Sequence, residues 1–337
     1  MCGVICGLDS LCELAIYARS KKSFFRENFG IMKIPSKSTL SRILRMVNGE
    51  KVAKATIDIM KEKAENIGDI IAVDGKAICS TSKKSKPHSA LQILTAYLTE
   101  SGVVLGQQAV HEKTNEIPVF QEMLEYLDVN GKTITADAMH CQKETCKKII
   151  NKKGNYVFGL KENQRNFYKD VELFFNDKQN CENIEIFEAP IEKSHGRTER
   201  RICSKIKDIS RFGNLEDWSG FETIFSIRRM SSDKYKTTDE TNYYITSLSE
   251  TPEKLLKITR EHWKIESLHW MLDVVFSEDD CRLQSDDGQM SLNAFRKLAV
   301  FLHRKHWKST GCKQSAKSNM LKCLIDETFL ITFIRHC

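Results

Sequence analysis

Two short apolar runs, each stopping at an aspartate, constrain this chain more than any other feature. "DIIAVDGKAI" (69–78) and "GKTITADAMH" (131–140) are β-branched, too short for ordinary helices and closed by polar breaks. They read as buried strands, with Asp74 and Asp137 placed just beyond the apolar part of each. Between them, "SALQILTAYLTESG" and "VVLGQQAV" read as strands joined by a turn at Ser101-Gly102. "NEIPVFQEMLEYLD" then reads as an amphipathic helix with Pro118 near its first turn. "CQKETCKKIINKKG" predicts a helix closed by Gly154 as a C′ glycine, and "NYVFGLK" one more strand. The order is β-β-β-α-β-α-β, an α/β pattern.

The flanks differ from this core. Residues 1–66 are helical in pattern, and "IPSKSTLSRILRMVNGEKVAKATIDIMKEKA" carries Leu40, Ile43, Leu44 and Val47 at helical intervals. Its Ser, Lys and Arg residues suit either an ordinary packing helix or a small DNA-contacting one. The start, "MCGVICGLDSLCELAIYARSKKSFF", reads as a helix entered midway with no polar cap before it. An upstream part of the natural domain is therefore expected to be missing. Residues 162–250 contain strand-like pieces separated by polar loops, and from Thr251 the pattern is helical again.

Composition adds limits. With 41% hydrophobic and 29% charged residues the chain has the balance of a soluble globular protein. A net charge of +7 suits a polyanionic partner. Twelve cysteines are scattered without a CxxC, which argues against a structural zinc site and for free thiols in a reducing compartment. No run of about eighteen apolar residues predicts a membrane span.

Carboxylates at strand ends sit on a rigid element and still reach solvent. If the first and fourth strands are neighbours, Asp74 and Asp137 converge, and a hard divalent cation relieves their repulsion with oxygen ligands. Taken singly, Asp74 before glycine also fits a turn, and Asp137 a helix cap. A third acidic residue comes from "EHWKIESLHWMLDV" (261–274), where His262, Glu266, His269 and Asp273 share one helical face. Its histidines invite a zinc reading. They lie seven apart rather than four, however, Glu261 precedes His262 instead of following it, and zinc leaves the two aspartates without a role.

The strand order, with these three carboxylates, resembles the ribonuclease H-like core of DDE transposases. "IAVDGKAI", "TADAMHCQ", "YVFGLKENQ", "HGRTERR", "YYITSL" and "REHWKIESLHWMLDVVFSEDDCR" follow one another as in the H-repeat-associated group of bacterial insertion-sequence transposases. "FGIMKIPSKSTLSRIL" resembles the small N-terminal domain attached to that group. The likeness runs over nearly the whole chain. It implies a helical N-terminal domain (1–66) and a catalytic domain (67–337) with a mixed sheet flanked by helices. A β-rich insertion (about 162–250) would precede the last catalytic helix.

The resemblance also implies a two-metal phosphoryl transferase. Asp74, Asp137 and Glu266 would bind two Mg²⁺ or Mn²⁺ ions for cleavage and strand transfer at the terminal inverted repeats. A homodimer in a synaptic complex and a cytoplasmic location are the matching expectations. DNA contacts are expected from Lys76, from Lys161, Asn163, Gln164 and Arg165, from His195, Arg197, Arg200 and Arg201, and from Arg260, His262 and His269. Guanidinium groups bind phosphate in a bidentate way, whereas charge runs also form ordinary solvated faces. The basic loop "STSKKSKPHS" (80–89) is a further candidate.

The chain departs from its relatives' pattern in places. Related enzymes often carry a tyrosine and an arginine before the last glutamate and a lysine after it. Here those places hold Thr259, His262 and Asp273, with Arg260 in another register. Glu278, Asp279 and Asp280 are the alternative source of the third carboxylate. A truncated, inactive relic that only binds DNA is the alternative to an active transposase.

Overall fold

The computed structural model describes residues 1–337 except 67, 83–89, 111–114, 195, 214, 282, 312, 313 and 337. It divides into two compact units. One comprises Met1–Gly68, Gly75–Asn115 and Ile265–Cys337, the other Asp69–Asp74 and Glu116–Lys264.

The first unit opens with five helices: α1 (Cys2–Ile5), α2 (Leu11–Ser20), α3 (Lys22–Phe29), α4 (Lys37–Met46) and α5 (Gly49–Lys63). Helix α1 has no side-chain cap, whereas at the start of α2 Ser10 and Glu13 form a reciprocal capping box. The run expected as one helix breaks at Val47, where Asn48 caps a new start by accepting from the Lys51 amide. Gly49 is needed there because a Cβ would meet the Asp287 carbonyl oxygen at 2.8 Å. Strand β1 (Ile70–Ile78) passes from one unit into the other. Its last residue, Ile78, packs on Leu91 and Ile93 of β2 (Leu91–Leu98), which pairs with β3 (Val104–Val110) in a hairpin.

The second unit carries the rest of the sheet. β1 runs parallel to β4 (Thr133–Ala136) and β4 parallel to β5 (Asn155–Leu160). Helices α6 (Glu116–Tyr126) and α7 (Lys143–Asn151) are the connections. This is the β-β-β-α-β-α-β order read from the sequence, in the strand sequence β3-β2-β1-β4-β5. The strand centres are dry: Ile134, Tyr156 and Phe158 are all fully buried, each contributing about 1.5–3 kcal/mol.

Two details differ from expectation. The left-handed residue after α7 is Lys153 (φ 59), not Gly154. Gly154 donates to the Ile149 carbonyl at 3.0 Å, and a Cβ there would meet the Val129 carbonyl oxygen at 2.8 Å. Glycine is thus required by close backbone approach rather than by handedness. The segment 162–250 also begins with a helix, α8 (Arg165–Asn176), whose Phe167, Val171 and Phe174 are spaced for one buried face.

Beyond α8 the segment is β-rich as expected. β6 (Ile184–Glu188), β7 (Glu192–Ser194), β8 (Arg197–Ile206), β9 (Thr223–Ser232) and β10 (Thr237–Thr246) are all antiparallel, and β10 joins the core by pairing with β5. Helix α9 (Pro252–Trp270) follows. α10 (Asp286–Thr310), α11 (Ala316–Ile325) and α12 (Glu327–His336) complete the first unit.

Candidate active site

The parallel pairing of β1 with β4 ends at Val73↔Ala136. The next residue on each strand is an aspartate, so Asp74 and Asp137 leave the ladder side by side. Asp74 is not beyond its strand, as the apolar run suggested: β1 continues to Ile78, and Asp74 marks where it parts from β4. Asp137 begins the 3₁₀ turn Ala138–His140, and its side chain makes no capping bond. That side chain is 68% exposed, so the cap reading fails and the carboxylate faces outward.

Helix α9 brings His262 to this pair. Its Nδ1 lies 3.1 Å from the Thr135 hydroxyl on β4, and its Nε2 3.8 Å from Asp137 Oδ1. The Thr135 hydroxyl also lies 3.4 Å from the Ile71 carbonyl, and the imidazole tautomer sets which ring nitrogen donates. Burial holds His262 below the usual histidine range, although Asp137 and Thr135 pull the other way. It is therefore a neutral donor near neutral pH. Glu266 is exposed one turn further along the same helix, and His269 is buried.

Other residues shape the surroundings of Asp137. Asn163 Nδ2 donates to the Ala138 carbonyl at 2.6 Å, and Gln164 Nε2 donates to Cys141 O at 3.1 Å. Both amides thus pin the turn that carries Asp137. Arg165 and Asn163 also line a polar cavity of about 330 Å³, with Lys143, Phe167 and Trp218. Tyr244 on β10 was not singled out by sequence reasoning. Burial and the nearby Asp137 charge push its phenol up to about 12, so it stays protonated.

The basic residues expected to meet DNA are engaged with carboxylates. Arg200 grips Glu188 in a bidentate pair at 2.5 and 2.7 Å. Arg201 bonds Glu192 at 2.7 Å and also Glu199, while Arg197 lies 3.3 Å from Glu199. Arg260 shares Glu192 at 2.6 Å. Hydrogen bonds from Arg260 and Arg201 hold the Glu192 carboxyl below its usual range. Lys161 is exposed. His195 and residues 83–89 of the basic loop lie outside the described residues.

The rival third carboxylate has a different environment. Glu278 is fully buried, accepts from Asn293 at 2.9 Å and lies 3.4 Å from Arg296 Nη1. Burial alone would raise its pKa, but Arg296 and Lys76 more than offset that and hold it below the usual range. The carboxylate is thus enclosed by Asn293, Arg296 and, at 3.2 Å, Lys76.

Among the described residues, no helix is long and apolar enough to cross a membrane. Ten cysteines among the described residues are free.

Comparisons with known proteins find matches to a family, to curated proteins and to a solved structure. The family described as "Transposase DDE domain" matches residues 65–302. YbfL of Escherichia coli K12 is 30% identical over 98% of this chain and 89% of its own length. The H repeat-associated protein YhhI of the same strain is 30% identical over 99% and 90%. YncI of Escherichia coli O157:H7 is 31% identical over 97% and 86%. Among solved structures, a piggyBac transposase synaptic complex with hairpin DNA aligns with a TM-score of 0.46 and 14% identity. It covers 96% of this chain and 72% of that one.

Proposed function

The chain belongs to the transposase DDE domain family, and on that premise we propose that it cuts and rejoins DNA strands at insertion-sequence ends. The observation that carries this reading is the β1–β4 register, which ends with Asp74 and Asp137 adjacent. Two hard carboxylates in that relation suit Mg²⁺ or Mn²⁺, whereas a zinc site would draw on thiolates or paired imidazoles. Metal ions held there would supply Lewis acidity for activating a water or a DNA 3′-hydroxyl and for offsetting charge on phosphate oxygens.

The chain's own residues do the rest. Asp74 and Asp137 would hold the ions, with Glu266, exposed on α9, as the third ligand. His262 orients Asp137 through its Nε2–H while Thr135 holds the opposite ring nitrogen. Asn163 and Gln164 fix the turn behind Asp137. Lys161, Asn163 and Arg165 line the strand path beside it. Arg197, Arg200, Arg201 and Arg260, with His195, His262 and His269, contact the terminal repeats, the arginines exchanging carboxylate partners for phosphates. Such contacts are insensitive to sequence and weaken with salt. Two copies would pair the two transposon ends in a synaptic complex in the bacterial cytoplasm.

The test is Mg²⁺- or Mn²⁺-dependent cleavage of DNA carrying the element's terminal inverted repeats. Asp74→Asn, Asp137→Asn and Glu266→Gln each lose about 10³-fold or more in rate while still binding DNA. Wild-type-like cleavage by any one variant removes that residue from the set. Binding without cleavage by the wild type favours the inactive relic.

A further inference from the structure

Lys76 lies two residues after Asp74 on β1, and alternation along a strand puts the two side chains on one face. Its side chain is only 10% exposed, and its Nζ is surrounded by carboxylates. Asp273 Oδ1 is 2.6 Å away, Glu278 Oε2 3.2 Å and Asp279 Oδ1 3.8 Å. Asp279 Oδ1 also accepts from the Cys79 amide at 2.9 Å, so the end of β1 is gripped at two points.

The gripping residues come from the segment directly after α9. There the helix continues as a π-helical turn, Met271–Val275, which carries Asp273. A π turn winds more residues per turn, so Asp273 is rotated away from the face it would hold in a continued α-helix. Ser277 then adopts a left-handed conformation, φ 45, a position that ordinary side chains rarely take. That reversal drops Glu278 into the interior, where Asn293 and Arg296 of α10 anchor it. Local strain and a buried ion cluster are both costly, and here both serve to bring carboxylates to one lysine.

We infer that Lys76, Asp273, Glu278 and Asp279 form a positioning clamp that ties the strand segment after Asp74 to the turn after Glu266. The inference rests on the reading of Asp74 and Glu266 as metal ligands. It replaces the expected phosphate contact of Lys76, because the ammonium is directed at protein carboxylates. It also gives Asp273 a role, since its carboxylate faces the Lys76 ammonium.

The experiment measures Mn²⁺ uptake by the full chain, read from the loss of the free-ion electron paramagnetic resonance signal. DNA affinity is measured in parallel at several salt concentrations. Lys76→Met weakens Mn²⁺ binding about tenfold or more, the usual effect of losing a group that holds a ligand in place. It leaves DNA affinity and its salt slope unchanged, and Lys76→Arg recovers most of the Mn²⁺ affinity. Asp273→Asn, milder because its carboxylate is 38% exposed, shows the same effect in smaller measure and covers the case in which Lys76→Met fails to fold.

Unchanged Mn²⁺ affinity in a folded Lys76→Met protein overturns the clamp. So does a salt slope lowered by about one, the mark of a lost phosphate contact. Wild-type protein that takes up no Mn²⁺, or takes it up equally as Asp74→Asn, instead sinks the metal-site reading on which the clamp depends.

Discussion

The same chemical change, Glu to Gln, separates Glu266 from Glu278. At Glu278 the carboxylate is fully buried, 3.4 Å from Arg296 Nη1 and 3.2 Å from Lys76 Nζ. At an effective dielectric of about 20, each contact is worth roughly 5 kcal/mol of gross attraction, much of it offset by desolvation. Neutralising one partner leaves buried cations uncompensated, and the net loss is about 3–5 kcal/mol. Urea unfolding followed by tryptophan fluorescence registers this as a midpoint lower by about 1–1.7 M, taking an m-value of about 3 kcal/mol/M. Glu266 is exposed, so Glu266→Gln shifts stability by less than about 0.5 kcal/mol while removing cleavage. Equal midpoints for the two variants, or a larger loss at Glu266, would refute the assignment of Glu278 to structure and Glu266 to chemistry.

Other consequences follow from single sites. Lys297 donates from the interior to Thr95 at 2.7 Å and Gln107 at 3.1 Å, and burial lowers its pKa to about 7 from 10.5. Between those values the unfolded chain holds a proton that the folded chain lacks, so this residue makes stability rise with pH from about 7 to 10.5. Melting temperatures at pH 7 and 9 should show the rise in the wild type and a flatter profile in Lys297→Met. Gly154→Ala should cost about 1–3 kcal/mol in the same unfolding assay, because the added methyl would press on the Val129 carbonyl. An unchanged midpoint would mean that the backbone there yields.

The core was legible because its signals are local. Short β-branched runs broken by Asp and Gly mark β1 and β4, and the helices between them force parallel strands. The aspartate pair follows from that order. Helix α8 was missed because its apolar residues lie among charged ones, in a stretch dominated by strand-like pieces. The partners of the site were hidden for another reason. Thr135 meets His262 across 127 residues, and Cys79 meets Asp279 across 200. No spacing rule links residues so far apart, and the ordinary side chains at Thr135 and Tyr244 carry no signature of chemistry. The arginines of "HGRTERR" were visible as charge, but their carboxylate partners depend on the register of β8 with β7 and β9.

The property from which every role above follows is metal-dependent cutting of DNA by this chain. Single-turnover cleavage of a terminal-repeat duplex, with and without Mg²⁺, measures that. The expected result is a nick at the repeat end that appears only with Mg²⁺ or Mn²⁺ and disappears in Asp137→Asn. Cleavage that persists in a chelator, or that Asp137→Asn performs at the wild-type rate, would contradict the account.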